Sequence, residues 1–236
     1  MSNQEISDFI TKQFREVQKK KVIARERTKA IHVSDLTSPC MRRTWYNFRR
    51  PEISLTMDSI CNFYLGTLLH EQAVLGGRNE IPLSANITEM KPISATEINQ
   101  ENFNDCVTGT IDDILEINGK TVIVDKKTTN RIPERPSEEY VTQINIYKLL
   151  LYINEKIDVK KGAILYLDKP SSFKETKCFD FDLMGLEEIE KMVKNKLAEI
   201  KSETEPYRAI TFRCDYCPHL KTCDPHQNGG TKKIGA

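Results

Sequence analysis

The chain has 236 residues, with 35 Lys and Arg against 34 Asp and Glu, a formal net charge of +1 and seven cysteines. That length allows one large domain, or a core with appendages, able to bury itself without disulfides. The near balance of charge excludes a global polyanion signal, so a nucleic-acid partner has to be met by local charge. No charged-then-apolar leader opens the sequence, and its most apolar run, residues 144–153, is short and interrupted by Lys148. Secretion and membrane spanning are therefore not expected, and the expected location is the cytoplasm. Thiols kept reduced there suit metal binding better than disulfides.

In chain order, residues 5–29 read as an amphipathic helix, and within 12–29 Lys12, Arg15, Lys19, Lys20, Lys21, Arg25, Arg27 and Lys29 are offset only by Glu16 and Glu26. Arg42, Arg43, Arg49 and Arg50 follow, interleaved with Trp45, Tyr46 and Phe48. This mixture can meet phosphates and stack on bases, or form a solvated helix with a half-buried aromatic strip. Residues 60–75 predict a helix carrying His70 and ending at Gly76 and Gly77. Weak periodicity over 79–104 predicts a loop-rich excursion with one or two short strands. Two strands, 106–117 and 121–127, flank Asn118-Gly119, a hairpin-turn dipeptide. After a proline-containing loop, Ser137, Glu138 and Glu139 open a helix reaching about residue 156, with Gln143 and Tyr147 on one face. Strands at 163–167 and 177–181, a helix at 186–203 and an irregular cysteine-rich tail from 211 complete the chain.

The acidic residues acquire meaning from these elements. Alternate residues of a strand share a side, so Asp125 and Lys127 point together while Lys126 points away. The hairpin can bring Asp112 near Asp125. Two adjacent carboxylates repel unless a cation separates them, and Mg²⁺ or Mn²⁺ suits oxygen ligands; an imidazole from His70 would favour Mn²⁺. Asp113 faces opposite to Asp112 in a regular strand, and Asp112 is the expected site residue.

Gly66-Thr67-Leu68-Leu69-His70, Gly109-Thr110-Ile111-Asp112, Asp125-Lys126-Lys127 and Gln143-Ile144-Asn145-Ile146-Tyr147 occur in an order that resembles the successive motifs of RecB-like PD-(D/E)XK nucleases. The resemblance implies an α/β core with a mixed central sheet flanked by helices. It also implies a metal held by His70, Asp112, Asp125 and the main-chain carbonyl of Lys126. Lys127 would orient or polarise the attacking water, and Gln143 and Tyr147 would position the centre and the DNA strand. Where Glu is common in the third motif, this chain has Asp125.

Cys214-x-x-Cys217 and Cys223, with Cys40 far upstream, have a spacing that suits either structural zinc or an iron-sulfur cluster. One cysteine ahead of the core and three behind it is similar to the CRISPR-associated iron-sulfur exonucleases, which implies a structural 4Fe-4S cluster clamping the chain ends. Cys61, Cys106 and Cys178 read as packing residues, and His219 and His226 as spare ligands.

The expected organisation is an N-terminal helical, basic segment (1–58), a nuclease core (59–205) and a cluster-binding tail (206–236). The expected activity is a Mn²⁺- or Mg²⁺-dependent 5′-to-3′ exonuclease on single-stranded DNA or single-stranded ends, acting in CRISPR spacer acquisition with integration proteins as partners. Arg42, Arg43 and Tyr147 would touch nucleic acid. The alternatives are a repair or mobile-element nuclease of the same superfamily, a non-catalytic zinc-ribbon nucleic-acid-binding protein, and a redox sensor using the cluster as a switch.

Overall fold

A computed structural model describes residues 12, 13, 16, 30–49, 75–94, 97–99, 105–170, 174–211, 214 and 217–223. Of the expected helix at 60–75 only Leu75 is described, and it is not helical; His70 lies outside the described residues. Of the expected helix at 5–29, only Lys12, Gln13 and Glu16 are described, and they are helical.

The strands are β1 (Ile31–His32), β2 (Arg78–Asn86), β3 (Lys91–Pro92), β4 (Cys106–Ile117), β5 (Lys120–Thr129), β6 (Lys161–Asp168) and β7 (Thr176–Asp182). The helices are α1 (Val33–Leu36), α2 (Met41–Arg49), α3 (Glu138–Glu155), α4 (Leu186–Lys201) and α5 (Leu220–Cys223). The strands form one mixed sheet in the order β3-β2-β4-β5-β6-β7, with β1 added parallel to β4. Only β5–β6 is parallel along the main path, and α3 is the crossover that a parallel connection requires. Helices flank this sheet, as expected of the fold class.

At the β4–β5 turn, Asn118 and Gly119 have φ of 52° and 72°, both left-handed, as a two-residue hairpin turn matching strand twist demands. Residues 79–104, expected to be mostly loop, contain all but the first residue of the nine-residue strand β2. Its alternation of buried Ile81, Leu83 and Ala85 is masked in the sequence by Pro82. Because β3 covers only Ala85 and Asn86, β2 keeps a free edge at Pro82 among the described residues, and the missing N–H takes nothing from the ladder.

α3 packs between the sheet and α4, and α4 carries α2. Residues 144–151 and Ile153 are buried, so α3 is apolar nearly all round, the signature of a helix enclosed on every side. Its polar members are satisfied. Lys148 Nζ donates to Met184 O at 2.7 Å, and the Met184 N–H donates to Asn145 Oδ1 at 2.9 Å. Each large aliphatic side chain buried here contributes about 1.5–3 kcal/mol. Among the described residues no helix is long and apolar enough to cross a membrane.

Candidate active site and cysteine pocket

β5 parts from β4 after Val124 while its other edge stays paired with β6 from Val122 to Thr129, and that divergence opens the candidate active site. The β4–β5 ladder runs from Ile117↔Lys120 to Asp113↔Val124 and stops. β2 lines one edge of β4 over Cys106–Ile114, so β1, at Val107 and Thr108, must share the other edge with β5. Residues 109–112 are left with an edge that no described strand takes. Asp112 fills it with its side chain, whose Oδ2 accepts the backbone N–H of Lys126 at 2.7 Å.

Asp125 and Lys127 are joined across the face of β5. Lys127 Nζ lies 2.8 Å from Asp125 Oδ2 and 3.0 Å from Oδ1, and 4.7 Å from the centre of the Tyr140 ring. Asp125 is 1% exposed and Asp112 7% exposed. Burial alone would lower the Lys127 pKa, but the charge and hydrogen bond of Asp125, reinforced by Asp112, outweigh it and raise the pKa. Lys126, expected to face away, does so. Its ammonium lies 2.8 Å from Asp113 Oδ2, and both side chains are fully buried. This second ion pair was not anticipated, although Asp113 lies opposite Val124, two residues before Lys126 on the same face of β5.

α3 supplies the third wall. Gln143 Nε2 donates to the Tyr147 hydroxyl at 2.9 Å. Tyr147 lies over Gly109, where an added Cβ would come 2.7 Å from Tyr147 Cε1 and 2.8 Å from Val33 Cγ2. The glycine of the Gly109–Asp112 motif thus lets the phenol ring reach the sheet beside the acids. Burial first, then the negative charge of Asp125, pushes the Tyr147 pKa up, which keeps the hydroxyl protonated. Asp112, Asp125, Lys127, Gln143 and Tyr147 are brought together, while His70 lies outside the described residues. Two buried carboxylates at one gap are a hard-oxygen donor set suited to Mg²⁺ or Mn²⁺. Among the described residues no group of three or more His, Cys, Asp or Glu is placed to hold a metal ion.

Cys40, Cys214, Cys217 and Cys223 line one open-sided pocket. Tight local turns present the thiols: the Arg43 N–H donates to Cys40 O, Cys217 N–H to Cys214 O and Cys223 N–H to His219 O. Arg42 and Arg43 share the wall. Arg42 is turned toward the C-terminal segment, where Nε donates to Pro206 O at 2.7 Å, Nη1 lies 3.5 Å from Glu205 Oε2 and Nη1 lies 3.9 Å from Cys223 Sγ. His219 stacks on Tyr46 and meets Asn47 Oδ1 at 2.7 Å through Nε2. Cys106 is buried, whereas Cys178, expected to pack, is exposed on β7, the last strand of the sheet among the described residues.

Two members of the basic aromatic strip of α2, Trp45 and Arg49, are tied to the end of α4. Trp45 Nε1 donates to Ser202 O at 2.7 Å, and the Arg49 guanidinium donates to Ile200 O at 2.9 Å and Ser202 O at 2.8 Å while lying 4.0 Å over the Trp45 ring. These groups satisfy carbonyls at the C-terminal end of α4, which an isolated helix leaves bare.

A mixed sheet with paired acids and a lysine at a strand divergence defines a metal-dependent nuclease core, and the sequence matches that class. Over residues 13–224 the chain matches the PD-(D/E)XK nuclease superfamily, and it belongs to that superfamily. The crystal structure of SSO0001 is similar with a TM-score of 0.61 at 17% identity, over 93% of this chain and 98% of that one. An alkaline exonuclease (LHK-Exo) from Laribacter hongkongensis is similar with a TM-score of 0.37 at 15% identity, over 75% of this chain and 90% of that one. No curated protein matches the chain.

Proposed function

We propose that this protein is a Mn²⁺- or Mg²⁺-dependent exodeoxyribonuclease that trims single-stranded DNA or single-stranded ends from 5′ to 3′, and that its four cysteines hold a structural 4Fe-4S cluster. The carrying observation is the gap beside β4, where Asp112, Asp125 and Lys127 meet on one side of the sheet. Asp112, Asp125 and the Lys126 carbonyl would hold the ion, with His70 completing the set. When bound, a divalent ion supplies an acidified water and charge stabilisation on the phosphate. Lys127, kept protonated by Asp125, orients that water and faces developing negative charge. Tyr147, kept protonated and held by Gln143, offers a hydroxyl to the DNA strand.

The cluster reading rests on four thiols lining one pocket. Ligation would tie residue 40 to residues 214–223, closing a long loop and restricting the unfolded chain. The setting proposed, through the resemblance to the CRISPR-associated iron-sulfur exonucleases, is CRISPR spacer acquisition alongside integration proteins.

The test uses anaerobically purified full-length protein on end-labelled single-stranded DNA, blocked at either end, with Mn²⁺, with Mg²⁺ and with chelator. Wild type should release products from an open 5′ end only with metal, and Asp125→Ala and Lys127→Ala should lose at least a hundredfold. Equal degradation by all three proteins would overturn the site assignment. A colourless protein containing zinc would overturn the cluster.

A further inference from the structure

We propose that Arg42 is a positioning residue that tunes the cysteine-bound centre: its guanidinium, fixed by Pro206 and Glu205, holds a charged N–H toward Cys223 sulfur and raises the reduction potential of the bound cluster. This rests on the cluster reading above and deepens it.

Three contacts carry the argument. Arg42 Nε donates to Pro206 O at 2.7 Å, which fixes the plane of the fork. Arg42 Nη1 lies 3.5 Å from Glu205 Oε2, so its charge is partly balanced rather than quenched. The same Nη1 lies 3.9 Å from Cys223 Sγ. Glu205 is in turn held by the buried Tyr46, whose hydroxyl donates to Oε1 at 2.7 Å. The guanidinium is therefore anchored at a distance from which a sulfur ligand feels it, on a stretch of chain far from the cysteine it addresses. Adding one electron to a thiolate-bound cluster adds negative charge, and hydrogen bonds and positive charge at the sulfurs favour the reduced form. A planar fork with fixed direction does this where a mobile lysine ammonium does so less well.

The test is a dye-mediated titration of the reconstituted full-length protein with dithionite as reductant, followed by visible absorbance and electron paramagnetic resonance. It compares wild type, Arg42→Lys, Arg42→Met and Glu205→Gln. Arg42→Met should lower the equilibrium constant for one-electron reduction about tenfold, a midpoint about 59 mV more negative. Arg42→Lys should fall between Arg42→Met and wild type, and Glu205→Gln should move the midpoint upward. A loaded Arg42→Met protein titrating at the wild-type midpoint would overturn the proposal, as would a wild-type cluster that dithionite does not reduce. If Arg42→Met takes up no iron, Glu205→Gln decides: an upward shift sustains the proposal and an unchanged midpoint ends it. A wild-type protein that binds no iron-sulfur cluster removes the cysteine reading itself, an outcome distinct from a cluster indifferent to Arg42.

Discussion

The Lys126 ammonium lies 2.8 Å from the Asp113 carboxylate inside the protein, back to back with the Asp125–Lys127 pair on the other face of the same strand. Consecutive lysines thus serve opposite sides of β5. Lys126 and Asp113 are fully buried, so removing one partner strands the other charge. Lys126→Met should destabilise the protein by about 3–5 kcal/mol, whereas pairing it with a neutral Asp113→Asn should recover most of the loss. Chemical denaturation of the two single variants and the double variant measures this coupling. Additive losses would mean the pair is not coupled.

Lys127 gives a pH prediction. Its folded pKa is raised above the unfolded value because Asp125 outweighs burial. The stability it contributes is therefore fully present below the unfolded lysine pKa and is lost as pH rises through the folded one. In metal-free protein, stability should show no loss from this group near neutrality and a loss on the alkaline side. Asp125→Asn removes the opposing charge and leaves burial dominant, so the Lys127 pKa should drop below its ordinary range. Amine labelling at Lys127 as a function of pH reads the shift; an onset at the same pH in both proteins would contradict it.

Gly109→Ala places a methyl 2.7 Å from the Tyr147 ring and 2.8 Å from Val33. Overpacking of this kind costs about 1–3 kcal/mol, and Tm should fall by about 2–4 °C for each kcal/mol. Adding Val33→Ala relieves one of the two contacts and should restore part of the Tm. Nuclease activity should stay low in the double variant because Tyr147 remains displaced.

Arg49→Ala discriminates between two uses of a basic residue. Its charged hydrogen bonds to Ile200 O and Ser202 O, and its position over Trp45, should be worth about 1.5–3 kcal/mol per bond at most. Melting should shift downward while the affinity for single-stranded DNA and its salt dependence stay unchanged. A reduced salt slope would instead place Arg49 on phosphate.

Much of the site was legible along the chain. Asn118-Gly119 specified the hairpin, and strand alternation put Lys127 with Asp125 and sent Lys126 away. The three-residue gap between Gln143 and Tyr147 placed both on one face of α3, where their side chains bond. The same alternation puts Lys126 on the far side with Asp113, but that both charges are buried there is decided by packing. β2 was obscured because Pro82 and its polar neighbours suppress the periodic signal.

The sequence by itself determined which elements form and which side chains share a face, because turn chemistry and two-residue alternation act between neighbours. Only the tertiary structure decided where β5 parts from β4, so that Asp112 meets the Lys126 N–H, and how Cys40 and Arg42 come to Cys223 from the other end of the chain. Those relations depend on strand partners and on packing between distant segments, which no local pattern of residues encodes.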